Sequence, residues 1–109
     1  MTDTVVGRTG CASIYRPTDD IEIRALRAGP QLDGANILEI GCGDGRLTFV
    51  LARSAARVLG IDPDAAAITL ARRRAVADGC LNVRFRVAAA QRPRVGRERF
   101  DTAIFSWSL

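Results

Sequence analysis

Ile37-Leu38-Glu39-Ile40-Gly41-Cys42-Gly43-Asp44-Gly45, followed by Arg46-Leu47-Thr48-Phe49-Val50-Leu51, is the stretch on which the fold turns. Asn36 to Ile40 is short, mostly apolar and followed at once by glycines, the pattern of a buried parallel strand. Leu47, Val50, Leu51 and Ala55 then recur at helical spacing. Working outward, Val58-Leu59-Gly60-Ile61 reads as a second strand closing on Asp62. Pro63 stands where a first-turn proline belongs, and a helix is expected from about Asp64 to Asp78, stopped by Gly79. Val83, Phe85 and Val87 alternate as a third strand, and an arginine-rich loop leads to a fourth over Phe100–Phe105. Upstream, Asp19 and Glu22 have the spacing of a capping box, and Ile21, Ala25, Leu26 and Ala28 give a short amphipathic helix before Gly29-Pro30 and a turn at Asp33-Gly34. Residues 1–16 carry no period and read as a mobile arm. Strands alternating with helices predict an α/β fold: an open, mainly parallel sheet with helices on both faces.

Composition bounds the chemistry. The 109 residues carry 16 basic side chains against 12 acids, a net charge of +4, and every basic one is arginine. Lacking histidine, the chain has no Ser-His-Asp or Cys-His pair and no His-ligated zinc. Lacking lysine, it has no Schiff base and no Walker lysine. What remains is backbone amides, carboxylates, arginines and hydroxyls. A hydrophobic fraction of 48% is that of a globular protein, too high for disorder. The opening MTDTVVGRTG is no signal peptide, and no apolar run approaches the roughly 20 residues of a membrane span. Cys11, Cys42 and Cys80 are odd in number and widely spaced, which points to a reduced, cytoplasmic protein. The Arg72-Arg73-Arg74 run and the Arg92, Arg94, Arg97 and Arg99 cluster read as solvated faces in an alanine- and arginine-rich sequence. Neither nucleic acid nor a membrane is expected as a partner.

The chemistry sits between Ile37 and Asp62. In an open α/β sheet, ligands bind beyond the carboxyl ends of the strands, where Glu39 and Asp62 both fall. Gly41, Gly43 and Gly45 let the chain turn with positive φ and let a ligand approach the backbone. Asp62 follows Gly41 by 21 positions, the distance at which an acid reaches the two ribose hydroxyls of a bound nucleotide. A dinucleotide loop would read G-x-G-x-x-G. Here the third glycine comes one residue early and Asp44 stands inside the loop, poor company for a pyrophosphate but suited to an ammonium or sulfonium group. Cys42, with no base to activate it, reads as a small loop residue, and Phe105 and Trp107 as packing.

The segments ILEIGCGDGRLTFVLA (Ile37 to Ala52) and VLGIDPDAAAITLAR (Val58 to Arg72) resemble the first two motifs of the class I S-adenosylmethionine-dependent methyltransferases. FDTAIFSWSL (Phe100 to Leu109) is similar to that family's fourth strand. The resemblance covers roughly Asp33 to the C-terminus and implies a Rossmann-like sheet. It implies S-adenosylmethionine as cofactor, with Gly41, Cys42, Gly43 and Gly45 lining its methionine portion and Glu39 holding its amino group. Asp62 would bind the ribose, Pro63 would pack on the adenine face, and Ser106 would lie near the methionine end. The family commonly places an acid after the third strand to meet the adenine amine. Here the pair is Ala89-Ala90, which leaves only a backbone amide for the base.

The family sheet continues beyond a fourth strand, so residues 17–109 are expected to be the N-terminal half of such a domain, truncated after that strand. The uncovered fourth-strand edge would invite self-association. The expected reaction is methyl transfer to a small-molecule acceptor, with no protein catalytic residue required and no metal. Two other readings stand beside it: a nicotinamide-dependent oxidoreductase domain, and a truncated, non-catalytic interaction module.

Overall fold

The structure, a computed structural model, describes residues 32–106. The N-terminal arm with Tyr15, the helix expected around Asp19–Ala28, and Trp107 lie outside the described residues. Within them the order is β1 (Asn36–Ile40), α1 (Arg46–Leu51), β2 (Arg57–Asp62), α2 (Ala65–Ala77), β3 (Val83–Val87) and β4 (Thr102–Phe105).

All four strands are parallel, in the order β3-β2-β1-β4. β1 is central because its apolar run is paired on both sides, Leu38 with Leu59 of β2 and with Ala103 of β4. The chain steps outward from β1 to β2 to β3, then crosses back so that β4 lies on the other side of β1. That reversal opens a crevice at the carboxyl ends of β1 and β4, the place where open α/β sheets bind ligands.

Strand alternation divides the core in two. Ile37, Val58, Val83, Phe85 and Ile104 face Phe49, Leu51 and Ala52 around α1 and Ile68 and Ala71 of α2. Leu38, Ile40, Leu59 and Ile61 face the other way, where Ala88, Val95 and Phe100 of the β3–β4 segment cover them. Both described helices therefore lie over one face of the sheet. Phe49 and Phe85 pack ring to ring at 5.7 Å, joining α1 to β3.

Local chemistry sets the ends of α2. The Asp64 carboxylate accepts from the Ala66 and Ala67 amides, and Gly79 at φ +66° ends the helix with Cys80 N–H donating to Ala75 O. Pro63, expected in the first turn, instead lies one residue before the cap. Asp64 is still extended at φ −82° and ψ 101°, because its own amide donates to Asp62. The arginine run is engaged in packing: Arg72 donates to Phe85 O, and Arg74 pairs with Asp78 and lies 4.6 Å over the Phe49 ring. Cys42 is a free, buried thiol. Cys80 is disulfide-bonded, which corrects the expectation that all three thiols are reduced.

Candidate functional site

The β1–α1 loop is tied down at nearly every residue. Gly41 and Cys42 donate their amides to Ile61 O at 2.8 and 3.0 Å, and Gly45 donates to Cys42 O. Gly41 has φ +84°, and a Cβ there would lie 2.8 Å from Ser106 O. Gly45 has φ +92°, and its Cβ would meet Phe49 at 2.8 Å and Phe85 at 3.0 Å. Both glycines are thus demanded by the protein's own packing as well as by backbone conformation. Sequence reasoning assigned the second cause and missed the first.

Glu39 projects from the middle of β1 and is fully buried. Its carboxylate accepts from Thr48 Oγ1 of α1 and from Ser106 Oγ, just past β4. Ser106 Oγ also lies 3.2 Å from Gly41 O, so the crevice at the strand-order reversal is closed by one hydroxyl that Glu39 holds. The structure brings Glu39, Gly41 and Ser106 together. Thr48 escaped notice, although a lone hydroxyl between Leu47 and Phe49 in a buried run is the trace it leaves.

Asp62, at the tip of β2, works on two loops at once. Oδ2 accepts from Gly43 N at 2.9 Å, and Oδ1 accepts from Asp64 N at 2.9 Å. A carboxylate offers about four lone-pair directions, so two remain for a ligand's hydroxyls after these amides are satisfied. Asp44 stands exposed in the loop. Burial first, then the charges of Glu39, Asp62 and Asp44, push the Cys42 thiol far above its ordinary range. The thiol stays protonated and is no nucleophile. It packs instead against Gly60, where a Cβ would lie 2.9 Å from the sulfur.

A cavity of about 440 Å³ lies at the carboxyl ends of β2 and β3, lined by Pro63, Val87, Ala88, Ala89, Arg92 and Arg94. Pro63 and Ala89, singled out from sequence, thus line one cavity, and Asp62 precedes Pro63 in the chain. Val87, Arg92 and Arg94 were not anticipated as lining residues. The arginines had been read as solvated charge, because composition alone says nothing of where a loop folds back. Arg92 N donates to Ala89 O at 3.0 Å, which folds the segment back beside Ala89, and Arg92 and Arg94 are both exposed.

Residues 37–109 match a family model described as a methyltransferase domain. The ubiquinone biosynthesis O-methyltransferase of Rhizobium etli is 37% identical over 81 residues, covering 74% of this chain and 32% of that protein. The chain spans about a third of the length of the curated relatives it matches. Among solved structures, an S-adenosylmethionine-dependent methyltransferase from Mesorhizobium loti is 28% identical with a TM-score of 0.63, over 77% of this chain and 38% of that one. Phosphoethanolamine N-methyltransferase 1 of Haemonchus contortus, solved with phosphoethanolamine and S-adenosylhomocysteine, is 27% identical with a TM-score of 0.67, over 84% of this chain and 19% of that one. The match to a methyltransferase domain displaces the dinucleotide alternative, in line with a loop that lacks G-x-G-x-x-G. The glycine loop, the strand order and these likenesses agree: the chain belongs to the class I S-adenosylmethionine-dependent methyltransferases, whose cofactor is S-adenosylmethionine.

Proposed function

We propose that residues 17–109 are the cofactor-binding half of a methyltransferase domain acting on a small-molecule acceptor. The observation that carries this is the position of Asp62, which joins the glycine loop to the Pro63 cavity through the Gly43 and Asp64 amides. A nucleoside held there has its ribose on the carboxylate, its base in the cavity and its amino-acid arm along Gly41–Gly45. The residues fit the group: the cavity beside Pro63 and Ala89 is apolar enough for a base, and the loop end is negatively charged.

S-adenosylmethionine supplies an electrophilic methyl group on a sulfonium sulfur. The chain's own residues bind and orient. Glu39, Asp62 and Asp44, whose charges add to burial in raising the Cys42 thiol, create a negative potential that favours a cationic ligand. Ser106, held by Glu39, presents its hydroxyl at the methionine end of the crevice. Glu39 itself is beneath this hydroxyl, so its effect on a bound ammonium runs through Ser106 and through its charge. A step of this kind depends on alignment of donor and acceptor and needs no protein base when the acceptor is already nucleophilic.

Support for a small-molecule acceptor comes from the relatives' names, which concern ubiquinone biosynthesis and phosphoethanolamine. We place the protein in the cytoplasm on the odd number and wide spacing of its cysteines, a reading against which the Cys80 disulfide counts. Alkylation of Cys80 in rapidly quenched cells tests this, since a persistent disulfide would count against a reducing compartment. β4 is paired to β1 on one side and has no further strand on the other among the described residues, and Phe105 on it is exposed. That edge is our candidate for self-association, to be checked by light scattering. No helix among the described residues is long and apolar enough to cross a membrane.

Isothermal titration with S-adenosylhomocysteine tests the central reading. Saturable heat is expected from the native chain and a loss of at least tenfold in affinity from Asp62→Ala, about 1.4 kcal/mol or more. No heat up to millimolar ligand, from a sample folded by circular dichroism, would overturn it.

A further inference from the structure

The cavity lining has a composition the family resemblance does not account for. Where an acid would meet a base's amine, the chain has Ala89, and two arginines line the same space. We propose that Arg92 and Arg94 clamp the base from its face, a guanidinium plane stacking on the purine ring. This rests on the cofactor-binding reading above.

Three observations carry it. Among the described residues, neither arginine is paired with an acid, whereas Arg84 pairs with Glu98 and Arg74 with Asp78. Their guanidinium groups are available, and a planar, weakly hydrated cation is the side chain best suited to lie on an aromatic face. Next, Arg94 has φ 57°, the one positive φ outside glycine among the described residues. A non-glycine residue in that region is strained, and such strain gathers where a side chain must be aimed. The backbone is held in place there: Arg86 on β3 donates Nη1–H to Arg94 O, and the Ala89–Arg92 turn closes the other side. Finally, the rest of the lining, Pro63, Val87, Ala88 and Ala89, offers no carboxylate that could read the edge of a base.

Recognition through the face has a consequence that recognition through the edge does not. The pocket will be nearly blind to the group at position 6 of the purine. The purine-riboside analogue of S-adenosylhomocysteine, with hydrogen in place of the amine and N1 still an acceptor, is therefore expected to bind within about threefold of S-adenosylhomocysteine. The variant Arg92→Lys/Arg94→Lys keeps the charge and removes both planes. It is expected to weaken both ligands about five- to tenfold, on the scale of a partly desolvated cation–π contact. Its ligand-free melting temperature should equal that of the native chain.

The outcomes separate the two readings. Failure of the folded native chain to bind S-adenosylhomocysteine removes the cofactor site and this proposal together. Binding that is unchanged by the double substitution overturns the clamp alone. So does a preference above about thirtyfold for the adenosine ligand, or displacement of the ligand by millimolar inorganic phosphate, which would make the arginines an anion site.

Discussion

Two loops meet at the carboxyl edge of the sheet, and they are built on opposite plans. The β1–α1 loop is short, negatively charged and fixed by backbone bonds to the tip of β2, with Glu39, Thr48 and Ser106 locked beneath it. The segment between β3 and β4 is long, rich in arginine and largely exposed; turns at Ala89–Arg92 and Val95–Glu98, side chains of β3, and Val95 and Phe100 against the sheet hold it, and Asp101 ties its end to Asn36. The first plan suits the part of a ligand common to the family, a ribose and a cationic amino-acid arm. The second suits variation, because its residues can change without disturbing a strand. If this contrast is right, equivalent substitutions in the two loops should have unequal effects.

Glycine to alanine is the sharpest comparison. Gly45 and Gly96 both have positive φ, but an added Cβ at Gly96 meets nothing within 4 Å, whereas at Gly45 it collides with Phe49 and Phe85. Gly45→Ala combines left-handed strain with overpacking and is expected to lose about 3–4 kcal/mol of stability. Gly96→Ala should lose about 1 kcal/mol from strain alone. Urea midpoints at constant m-value measure both, and equal losses would break the comparison. Glu39→Ala follows in size. It leaves the Thr48 hydroxyl without its acceptor and opens a void beneath the loop, for an expected loss of about 2–3 kcal/mol. Thr48→Val, which removes a donor but fills the space, should lose about 1 kcal/mol.

How much of this was readable in advance follows from range along the chain. β1, the glycine loop and α2 were legible because their causes lie within a few residues: an apolar run, three glycines, and the Asp64 and Gly79 ends. Even there, Pro63 was misplaced by one step, since Asp62 draws the Asp64 amide outward and delays the helix. The Glu39–Ser106 bond spans 67 positions and the Glu39–Thr48 bond crosses from strand to helix, so neither leaves a local periodicity. The arginine cluster was visible as composition only. That Arg92 and Arg94 line a cavity, while Arg84 is tied to Glu98, depends on how a loop without regular structure folds over a sheet face.

Alkali probes the negatively charged loop from another side. Burial and three carboxylates raise the Cys42 thiol far above the value of about 8.5 that it has in the unfolded chain. Below that value both states hold the proton and the group is neutral to stability. Above it the unfolded chain releases its proton and the folded chain does not, so stability falls as pH rises, by about 1.4 kcal/mol per pH unit for this one group. Cys42→Ala should flatten the decline measured between pH 8.5 and 9.5 by about 1 kcal/mol. An identical slope in native and variant chains would show that burial and the neighbouring carboxylates do not hold the thiol protonated in the folded chain.

The smallest effect belongs to the arginine-rich segment, and its smallness is the point. Arg84 of β3 grips Glu98 through both carboxylate oxygens, with Nη1 at 3.0 Å from Oε1. The guanidinium hydrogen bond holds the Glu98 carboxyl below its ordinary range. Stability from the pair is therefore present above the unfolded value of about 4.3 and is lost as pH falls through the lower folded value. Both side chains reach solvent, which screens the pair, so Glu98→Gln should lose only about 0.5 kcal/mol at pH 7, and less in 0.5 M salt. A loss near 2 kcal/mol would mean that this segment is as tightly built as the glycine loop. A loss near the expected value means that the principal ion pair of the segment can be removed while the sheet stands. The wall carrying Arg92 and Arg94 would then be free to change its chemistry at little expense to the fold, which the glycine loop cannot do.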